Sequence, residues 1–547
     1  MNKNRSQRIL GISIISVFLV LLAFPILMVF FKAFQNFDGQ FVGFQNFIDY
    51  LPTRGFIVSL KNSIFVSLMA TVITLGLAFL YAYGVNRSNI KCKGIFHWIA
   101  LLPLFAPTMT HGISLIYLFG AQGIFTKLFS YDFNIYGKWG IIISECIYIF
   151  PVIYLMFSLG LKKADNRLYE AAEILGTSKR RQLFTITLPA MKFSIITAFF
   201  SAFTMAFTDF GAPKIIGGNY SVLATEIYKK MLGQQELEMG AVVGVILIIP
   251  AVIAFIVDYI ITKRNKATID ARATELVITE SKKRDRSFYT INSIVASVII
   301  ILFTTIFASA FIENWPYELN LTLKWFRFDV MGMSGLEIFG NSIFVAFSTA
   351  FLGTIFAFVA AYISMRGKGF KSLNKGIYFF GILPNAIPGL TIGIAYIFFF
   401  NSASNPLNFI YGTFIILIFA NIIHFFSTPF LTISNDLRNI NSEYESASEI
   451  MGVSWFEAVK RVIIPMSLPS IVESFSYYFV NSMMTVSAVV FLYLPVTRIA
   501  TISMINNADL GETAAAAAVA VMIIVTNIVF RVIFDRLSIR LRKKYSK

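Results

Sequence analysis

The sequence predicts an all-α membrane protein with twelve transmembrane helices, arranged as two parallel six-span repeats. Three observations predict this class: a composition of 57% hydrophobic and 14% charged residues, twelve long apolar runs, and landmarks that occur twice in the same order. An average soluble domain contains about 25% charged residues. The mean hydropathy of +0.72 therefore excludes an ordinary soluble protein.

The apolar runs each approach the length of about 20 residues that crosses a hydrocarbon core of roughly 30 Å. They lie near residues 9–31, 64–85, 95–119, 140–161, 191–210, 240–262, 290–311, 342–364, 377–400, 411–433, 469–491 and 513–534. The first run follows three basic residues, as a signal peptide does, but it is longer than a typical signal core and no small-residue cleavage site follows it. We therefore expect a retained helix.

Basic residues predict the orientation of these spans. The two termini and the loops on their side of the membrane hold 35 of the 46 Lys and Arg residues. The positive-inside rule then places both termini in the cytoplasm of a bacterium, with the chain in the cytoplasmic (inner) membrane. The net charge of +17 is mostly explained by this topology, so a nucleic-acid partner is not needed.

The two cysteines offer no disulfide framework and no cysteine-based metal site. Cys92 falls at the cytoplasmic rim, and Cys146 lies inside the fourth span toward the outer face, so the two thiols are not expected to meet. We expect neither a resident metal nor a cofactor.

The chain repeats itself at an offset that drifts by only a few residues. The matching pairs are NSIFV at 62–66 and 341–345, LLPLFAPTMTHGI at 101–113 with ILPNAIPGLTIGI at 382–394, and YG at 136–137 and 411–412. An even number of spans per repeat keeps both copies in the same orientation. We predict a first half at 1–262, a charged cytoplasmic linker at 263–287 and a second half at 288–547.

A polar, glycine-broken loop recurs between the fourth and fifth spans of each half. It reads EAAEILGTSKRRQLFTITLP at 170–189 and SASEIMGVSWFEAVKRVIIP at 446–465. In the first copy we expect Asp165 or Asn166 to cap a short helix, Gly176 to end it in a left-handed conformation, and Ser178 to cap a second helix.

The second copy has similar helix signals. Ser442 with Glu445, and Ser454 with Glu457, have capping-box spacing around Gly452. Both loops are therefore predicted to form helix-turn-helix knobs on the inner face, each joined to a membrane span.

The loop at 165–189 resembles the EAA loop of ABC importer permeases. Every specified position of that pattern is present: Glu170, Ala171, Ala172, Gly176, Ile186, Leu188 and Pro189. In that family the loop contains the coupling helix, which docks into a groove of a cytosolic ATPase. The alternative is an amphipathic surface helix that merely connects two spans.

The second loop, at 441–465, departs from the pattern. Aligned on Gly452, Ser446 occupies the glutamate position, Glu445 is displaced by one residue, Ala447 is retained and Ser448 replaces an alanine. A shift of one residue turns a helical side chain by about 100°. We expect the polar contact of this copy to be altered or lost.

The resemblance implies a type I ABC importer permease fold and transport of a small solute by alternating access. It implies two cytosolic ABC ATPase subunits and an extracytoplasmic solute-binding protein as partners. The chain contains no G-x-x-x-x-G-K-[ST] phosphate loop, so ATP hydrolysis is assigned to those partners and the chain is not an enzyme. An ion-driven secondary transporter with repeated halves is the alternative from another class, and a membrane scaffold or sensor is a second.

Two ionisable residues inside spans are candidates for the translocation path, because charge within hydrocarbon is costly. At 1.5 Å per residue, His111 and Glu145 lie at similar depth on consecutive spans, so a pair can form. They are either a structural polar pair or groups that face the path.

Further candidates lie where the fifth span ends in FTDFGAPKIIGG and at the matching part of the eleventh span. The resemblance implies that the fifth span of each half lines the central path. The candidates are Thr204, Thr208, Asp209, Asn481, Thr485 and Ser487. The alternative is that these residues only terminate helices.

The substrate is predicted by resemblance alone. The stretch FTDFGAPKIIGGNYSVLATEIYKKMLGQQ is similar to permeases assigned to 2-aminoethylphosphonate uptake and, more broadly, to the ferric-iron group. Sulfate, polyamine and thiamine permeases share the same plan. We expect 2-aminoethylphosphonate or another phosphonate, with ferric iron as the alternative.

Overall fold

The computed structural model describes residues 2–162, 165–265, 278, 280–327, 333–368 and 370–545. Helices dominate this part of the chain, so the all-α prediction is confirmed. Two short strands that the sequence did not predict, Ile312–Asn314 and Glu318–Leu321, form an antiparallel hairpin.

The first half begins with a long helix in two α segments separated by a π turn and continues with helices that match the predicted spans. Its elements are Asn2–Phe18, Leu19–Ala23 (π), Phe24–Ala33, Gln45–Tyr50, Arg54–Arg87, Lys93–Leu101, Leu102–Phe105 (3-10), Thr108–Phe119, Ile124–Phe129, Lys138–Lys162, Asn166–Ile174, Lys179–Gln182, Leu183–Thr187 (π), Leu188–Thr208, Gly211–Ile216, Leu223–Tyr228, Lys229–Gly233 (π) and Leu237–Asn265.

The second half repeats this order, with the hairpin inserted after its first span. Its helices are Lys282–Phe311, Lys324–Phe326 (3-10), Gly335–Arg366, Lys371–Ile382, Leu383–Ala386 (3-10), Gly389–Phe400, Asn408–Ile410 (3-10), Phe414–His424, Ser427–Asn439, Glu443–Ile450, Trp455–Ala458, Val459–Ile463 (π), Ile464–Met484, Pro495–Thr497 (3-10), Ala500–Asp509 and Thr513–Tyr545.

Nine helices of the described residues are long and apolar enough to cross a membrane, and two bent pairs raise the number to eleven. The pairs occupy the predicted ninth and tenth spans and bend by 111° and 53°. The predicted span at 469–491 corresponds to helix Ile464–Met484, which is interrupted by five serines and Glu473. Among the described residues, eleven of the twelve predicted spans therefore meet the test of length and apolar composition, and the eleventh span does not, because its helix carries polar groups along its length.

The third and ninth spans break at the same repeat position. A Leu-Pro turn of 3-10 helix ends at Phe105 in one half and at Ala386 in the other, and a second proline follows two residues later. The residue before that proline is extended in both cases, with ψ 136° at Ala106 and 118° at Ile387. Proline disfavours the helical conformation of the preceding residue, so the repeated prolines explain the repeated break.

The first span of each half packs against the other half. Phe18 is fully buried, and its ring lies 5.1 Å from Phe356, 5.7 Å from Phe380 and 5.0 Å from Phe426, all in the second half. In the reciprocal contact, the seventh span places Phe288 against Tyr83, with ring centroids 5.1 Å apart. The two halves are therefore interlocked.

Most of the predicted linker at 263–287 lies outside the described residues. Helix Leu237–Asn265 enters its first residues, and helix Lys282–Phe311 starts before its end. The boundaries at 262 and 288 stay a prediction.

Candidate coupling loops and translocation path

The first loop folds as the helix signals predict. Asp165 caps helix Asn166–Ile174 by accepting a first-turn backbone N–H at 3.1 Å. Gly176 has φ +68°, in the left-handed region that favours glycine. Ser178 caps the second helix by accepting the backbone N–H of Arg181 at 3.4 Å. The glycine thus turns one short helix directly into the next.

The second loop has the same backbone but a different first cap. Gly452 has φ +72°, and Ser454 accepts a backbone N–H three residues on at 3.2 Å. The capping box predicted for Ser442 is wrong, because the Ser442 side chain accepts no cap hydrogen bond. Its partner in that prediction, Glu445, turns away from the helix start toward the end of the eighth span.

Each loop is continuous with the span that follows it. A π turn joins the second loop helix to the span, at Leu183–Thr187 in one half and at Val459–Ile463 in the other. The spans then begin at Leu188 and Ile464, each with a proline at the next position. No irregular segment intervenes between either knob and the span that follows it.

The tip of each knob exposes large apolar side chains. Ile174 is 86% exposed and Ile450 is 87% exposed, and the next residues, Leu175 and Met451, are also largely exposed. Exposed apolar groups at matching places in both repeats are typical of a protein-binding surface. The knobs therefore have the form of docking elements.

The EAA positions of the first loop differ in solvent exposure. Glu170 and Ala171 are exposed, and Ala172 is buried against the body of the protein. The Glu170 Oε1 atom accepts a hydrogen bond from Asn166 Nδ2 at 2.6 Å. The carboxylate is thus held at the surface, available to a partner.

In the second loop the position that corresponds to Glu170 has an uncharged side chain. Ser446 and Ala447 are exposed, Ser448 is buried, and the Ser446 hydroxyl donates only to the Ser442 carbonyl, at 3.3 Å. No charge replaces the glutamate of the first copy at this position.

An arginine at the C-terminal end of the eighth span, Arg366, anchors the second loop. The Arg366 Nη1 atom lies 3.4 Å from Glu445 Oε2, and Tyr362 donates its hydroxyl to Glu445 Oε1 at 3.1 Å. Arg366 Nη2 donates to the carbonyls of Leu437 and Ile440, where the tenth span ends. Glu445, the glutamate that is displaced by one residue from the EAA pattern, thus makes its contacts inside the protein.

The first half has an arginine at the same repeat position, with a different partner. Arg87 is buried and donates from Nη2 to the Leu161 carbonyl at 2.8 Å. Its guanidinium carbon lies 5.1 Å from the ring centroid of Tyr169, whose hydroxyl lies 2.8 Å from that of Thr187. A cation–π contact here replaces the ion pair of the second half.

Two carboxyl groups from different spans meet inside the first half. Glu145 on the fourth span lies beside Asp209 at the end of the fifth. One oxygen of Asp209, Oδ2, accepts the Ala212 backbone N–H at 2.9 Å, and the Thr108 hydroxyl lies at the same carboxylate. Glu145 is 0% exposed, and its carboxyl group forms a hydrogen bond with that of Asp209.

Phenol groups lie near this carboxyl pair. Tyr148, one helical turn after Glu145, faces both carboxyl groups and Tyr477 of the eleventh span. The pair thus lies where a span of the second half approaches the first.

His111 does not lie beside the Glu145–Asp209 pair. No hydrogen bond or ion pair joins it to Glu145 in the described part of the chain, and its ring centroid lies 6.4 Å from that of Phe303 on the seventh span. The expected His111–Glu145 pair is therefore absent. Counting depth along a straight helix misplaced His111, because the third span breaks at Ala106.

The other candidates for the path are spread along the ends of the fifth and eleventh spans. The Thr208 hydroxyl donates to the Thr204 carbonyl at 2.8 Å, and Asn481 Nδ2 donates to the carbonyl four residues earlier at 2.8 Å. Thr485 ends its helix with ψ 138°, as Asp209 does in the first half. The side chains of Thr208 and Asn481 thus form hydrogen bonds with nearby backbone carbonyls. This agrees, for some of the candidates, with the alternative that they only terminate helices.

The second half has no carboxyl pair at the corresponding place. The offset of the two YG pairs matches Glu145 to Ala420, and the next residue, Asn421, donates from Nδ2 to Ser482 Oγ at 2.7 Å. Ser487 and His424 close around Gly389, leaving no space for a Cβ atom there.

Several functional candidates were missed from the sequence. Arg87 and Arg366 share a repeat position, so the self-alignment could have identified them as a pair. Tyr148 could have been found by its spacing of three residues from Glu145. Tyr477 gave no local signal. Lys214, five residues after Asp209, pairs with Asp509 of the second half at 2.9 Å.

Comparison with known proteins gives a consistent assignment. Residues 72–267 and 353–543 each match the family described as "Binding-protein-dependent transport system inner membrane component". The ferric transport system permease protein FbpB of Actinobacillus pleuropneumoniae is 25% identical over 541 residues, covering 96% of this chain and 77% of the relative. FbpB 1 of Haemophilus influenzae is 27% identical over 506 residues, covering 89% and 78%.

A further Haemophilus influenzae relative, the Fe(3+)-transport system permease protein FbpB 2, is 23% identical over 496 residues, covering 89% of this chain and 90% of the relative. Among solved structures, a bacterial ABC transporter involved in the import of the acidic polysaccharide alginate aligns with a TM-score of 0.39 and 19% identity, over 47% of this chain and 93% of that one. The two family matches lie one in each half of the chain. The chain therefore belongs to the family of inner membrane components of binding-protein-dependent transport systems, as an ABC importer permease in which two permease units are fused.

Proposed function

We propose that this chain is the permease subunit of an importer for ferric iron. An extracytoplasmic solute-binding protein delivers the solute, and two cytosolic ABC ATPase subunits supply the energy. The observation that carries the class is the doubled knob, with its exposed apolar tip and its continuous connection to a span. The proposed topology places both termini and both knobs in the cytoplasm, as the distribution of basic residues indicates.

The proposed mechanism follows from how the knobs are attached. When ATP brings the two ATPase subunits together, the knobs are carried toward each other. Because a π turn joins each knob directly to its span, the fifth and eleventh spans tilt at their inner ends. The interlocked first and seventh spans keep the halves associated while the path between them changes its accessible side.

The coupling residues proposed for the first loop are Glu170, Ala171, Ala172 and Gly176. Those proposed for the second loop are Ala447, Ser446 and Gly452, with Glu445 as an internal anchor through Arg366. We infer that docking uses polar contact in the first half and apolar contact in the second.

Two arguments support ferric iron over the phosphonate that we expected first. The relatives named above that cover most of the chain carry ferric-transport names. The Glu145–Asp209 pair, which keeps one negative charge when its two carboxyl groups share a proton, also disfavours a phosphonate group, because like charges repel strongly where water is excluded. Both arguments favour a cation.

Two measurements on the assembled system test this proposal. In a thermal-shift screen of the partner binding protein, ferric iron should raise the melting temperature, whereas 2-aminoethylphosphonate and other phosphonates should not. The chain should also co-purify with its ATPase at one permease to two ATPase copies. Stabilisation by a phosphonate alone would contradict the substrate, and ATP hydrolysis by the isolated permease would contradict the division of roles.

A further inference from the structure

A cavity of about 750 Å³ lies where the sixth span meets three spans of the second half. Phe255 and Tyr259 line it from the sixth span, and the other lining residues belong to the eighth, ninth and tenth spans. Tyr259 and Phe379 are each 51% exposed, so the cavity is open rather than sealed. Its volume lies within the range of about 300–1,000 Å³ that small-molecule sites occupy. A ligand can therefore enter it from outside the protein.

The residues around this cavity lie near helix ends on one side of the membrane. Met365 is one residue from the C-terminus of the eighth span, Lys375 lies in the second turn of the ninth, and Arg438 is one residue from the end of its helix. Tyr259 lies about 9 Å before the end of the sixth span, at 1.5 Å per residue. In the proposed topology these ends face the cytoplasm, which places the cavity at the level of the lipid headgroups of the inner leaflet.

Two cationic side chains line the cavity, and neither has an acidic partner in the described part of the chain. Lys375 and Arg438 form no ion pair there. Arg438 Nε donates to Met365 Sδ at 3.3 Å, and its guanidinium carbon lies 6.0 Å from the ring centroid of Tyr378. These contacts position the guanidinium group without neutralising its charge.

The carboxylates that lie closest in sequence to the cavity residues are bonded to other spans. Asp258, on the sixth span, forms a hydrogen bond with Thr197 of the fifth. Asp436, on the tenth span, accepts a hydrogen bond from Ser470 Oγ of the eleventh at 2.7 Å. The lining of the cavity is therefore positively charged, which favours a ligand with an anionic group.

Most of the remaining wall is aromatic or aliphatic, and it comprises Phe255, Tyr259, Tyr378, Phe379 and Ile382. Tyrosine is enriched at the headgroup level of membrane proteins, because its ring suits apolar groups and its hydroxyl suits water. An inorganic anion would use the two cations and leave this wall in contact with water. An amphiphile with an anionic head and apolar chains matches both parts of the lining.

The cationic wall is not required by the fold that the two halves share. Aligned on the repeated prolines, the third span has Gly94 at the position of Lys375 and His97 at that of Tyr378. His97 Nδ1 lies 2.7 Å from the Tyr154 hydroxyl, so the histidine is engaged within its own half. The lysine and the tyrosine of the second half therefore call for an explanation of their own.

We propose that this cavity binds the headgroup of an anionic phospholipid from the inner leaflet, with Lys375 and Arg438 at the phosphate. Basic pockets between transmembrane helices are a recurrent form of such sites. Arg438 lies between Leu437 and Ile440, whose carbonyls accept hydrogen bonds from Arg366. The lipid therefore binds at the base of the second coupling loop and links it to the sixth span of the first half. The inference does not depend on the transported solute, and only its assignment to the inner leaflet rests on the proposed topology.

The test is native mass spectrometry of the purified full chain, equilibrated with equal amounts of phosphatidylglycerol and phosphatidylcholine. Each basic residue at an anionic membrane surface is worth about fivefold in binding, so two should give the wild type a preference of about 25-fold for phosphatidylglycerol. Lys375→Gln should lower that preference about fivefold, and Arg438→Lys, which keeps the charge, should retain most of it. The matched control is Lys371→Gln, which removes an exposed lysine one turn earlier on the same helix, outside the cavity, and should change nothing.

A competition experiment distinguishes the lipid from a soluble anion. Glycerol phosphate carries the same anionic group without acyl chains, so an excess of it should leave the bound phosphatidylglycerol in place. Full displacement by glycerol phosphate would show a site for soluble phosphates and would overturn the lipid assignment.

The melting temperature provides a second readout. A ligand that binds only the folded state stabilises that state. Phosphatidylglycerol should therefore raise the melting temperature of the wild type and of Lys371→Gln more than that of Lys375→Gln. Because Lys375 is exposed, its replacement should leave the fold intact.

The outcomes separate this inference from the proposed function. An equal preference for phosphatidylglycerol in the wild type and Lys375→Gln would overturn the site. An equal loss in Lys371→Gln and Lys375→Gln would show a general effect of surface charge and would also overturn it. Neither readout involves transport, so failure of the lipid site leaves the proposed importer standing, and an importer that moves another solute leaves the lipid site standing.

Discussion

Arg366 and Glu445 form an ion pair of 3.4 Å at the base of the second loop, with side chains only 9% and 14% exposed. The glutamate is the one that is displaced by a residue from the EAA pattern. Its displacement converts a surface group into an internal anchor, so the two loops of one chain are held by different physical contacts.

The anchor predicts an unequal effect of its two partners. Arg366→Met should reduce binding-protein-stimulated ATPase activity and uptake at least tenfold, because breaking a buried pair costs about 3–5 kcal/mol and two carbonyls also lose their donor. Glu445→Gln should have a smaller effect, since the amide still accepts from Tyr362. The control is Lys368→Met, which breaks the half-exposed pair with Glu449 and should change neither activity. Equal effects of Arg366→Met and Lys368→Met would contradict an anchoring role.

In the first half, the ring of Tyr169 should matter more than its hydroxyl. Tyr169→Phe keeps the ring under Arg87 and loses only the contact with Thr187, so coupling should fall less than twofold. Tyr169→Leu also removes the cation–π contact, which is worth about 0.5–2 kcal/mol, and should impair stimulated ATPase activity severalfold. If the two variants behave alike, the ring contact is not what positions the loop.

Both loop glycines should be required for their backbone conformation. A Cβ at Gly176 or Gly452 would meet nothing within 4 Å, so any effect of substitution comes from φ rather than from crowding. A left-handed conformation costs an L-residue about 1–2 kcal/mol. Gly176→Val and Gly452→Val should therefore uncouple ATP hydrolysis from uptake, whereas Gly176→Asn, which tolerates this conformation, should retain most uptake. Full activity of the valine variants would exclude a role for the turn.

The two surface positions of the EAA pattern should differ in importance. Glu170→Ala should weaken ATPase docking by about 1.5–3 kcal/mol if the carboxylate makes a charge-assisted contact with its partner. Ser446→Ala loses only a hydrogen bond to Ser442 within its own helix and should be nearly silent. Asn166→Ala removes the hydrogen bond that Glu170 accepts within its own helix. It therefore separates this local contact from the contact of Glu170 with the ATPase. Equally severe defects from Glu170→Ala and Ser446→Ala, measured by pull-down of the ATPase and by uptake, would show that the halves dock alike.

The fold was predictable from sequence where a local signal recurs. The prolines at 107 and 388 break corresponding helices, and Gly176 and Gly452 end corresponding loop helices, because these residues restrict or free the backbone regardless of tertiary context. The cap at Ser442 was predicted wrongly, since the glutamate that should have completed it found a stronger partner in Arg366.

The site was predictable only in part, since its contacts depend on how the spans pack. Glu145 was identified by the rule that charge within a span is costly, and Asp209 by its place in the polar end of the fifth span, but their meeting depends on the angle between the fourth and fifth spans. Tyr477 comes from the other half, so no analysis of the local sequence could place it there. His111 was paired with the wrong region because a straight third span was assumed.

The most direct test of the central claim is solute uptake into proteoliposomes that contain the permease, its ATPase and its binding protein, with ⁵⁵Fe³⁺ and labelled 2-aminoethylphosphonate compared side by side. We predict uptake of iron that requires both ATP and the binding protein and that persists when an ionophore collapses the ion gradients. ATP-dependent uptake of the phosphonate without iron uptake would contradict the substrate. Iron uptake that needs no ATP and is abolished by the ionophore would contradict the importer mechanism itself.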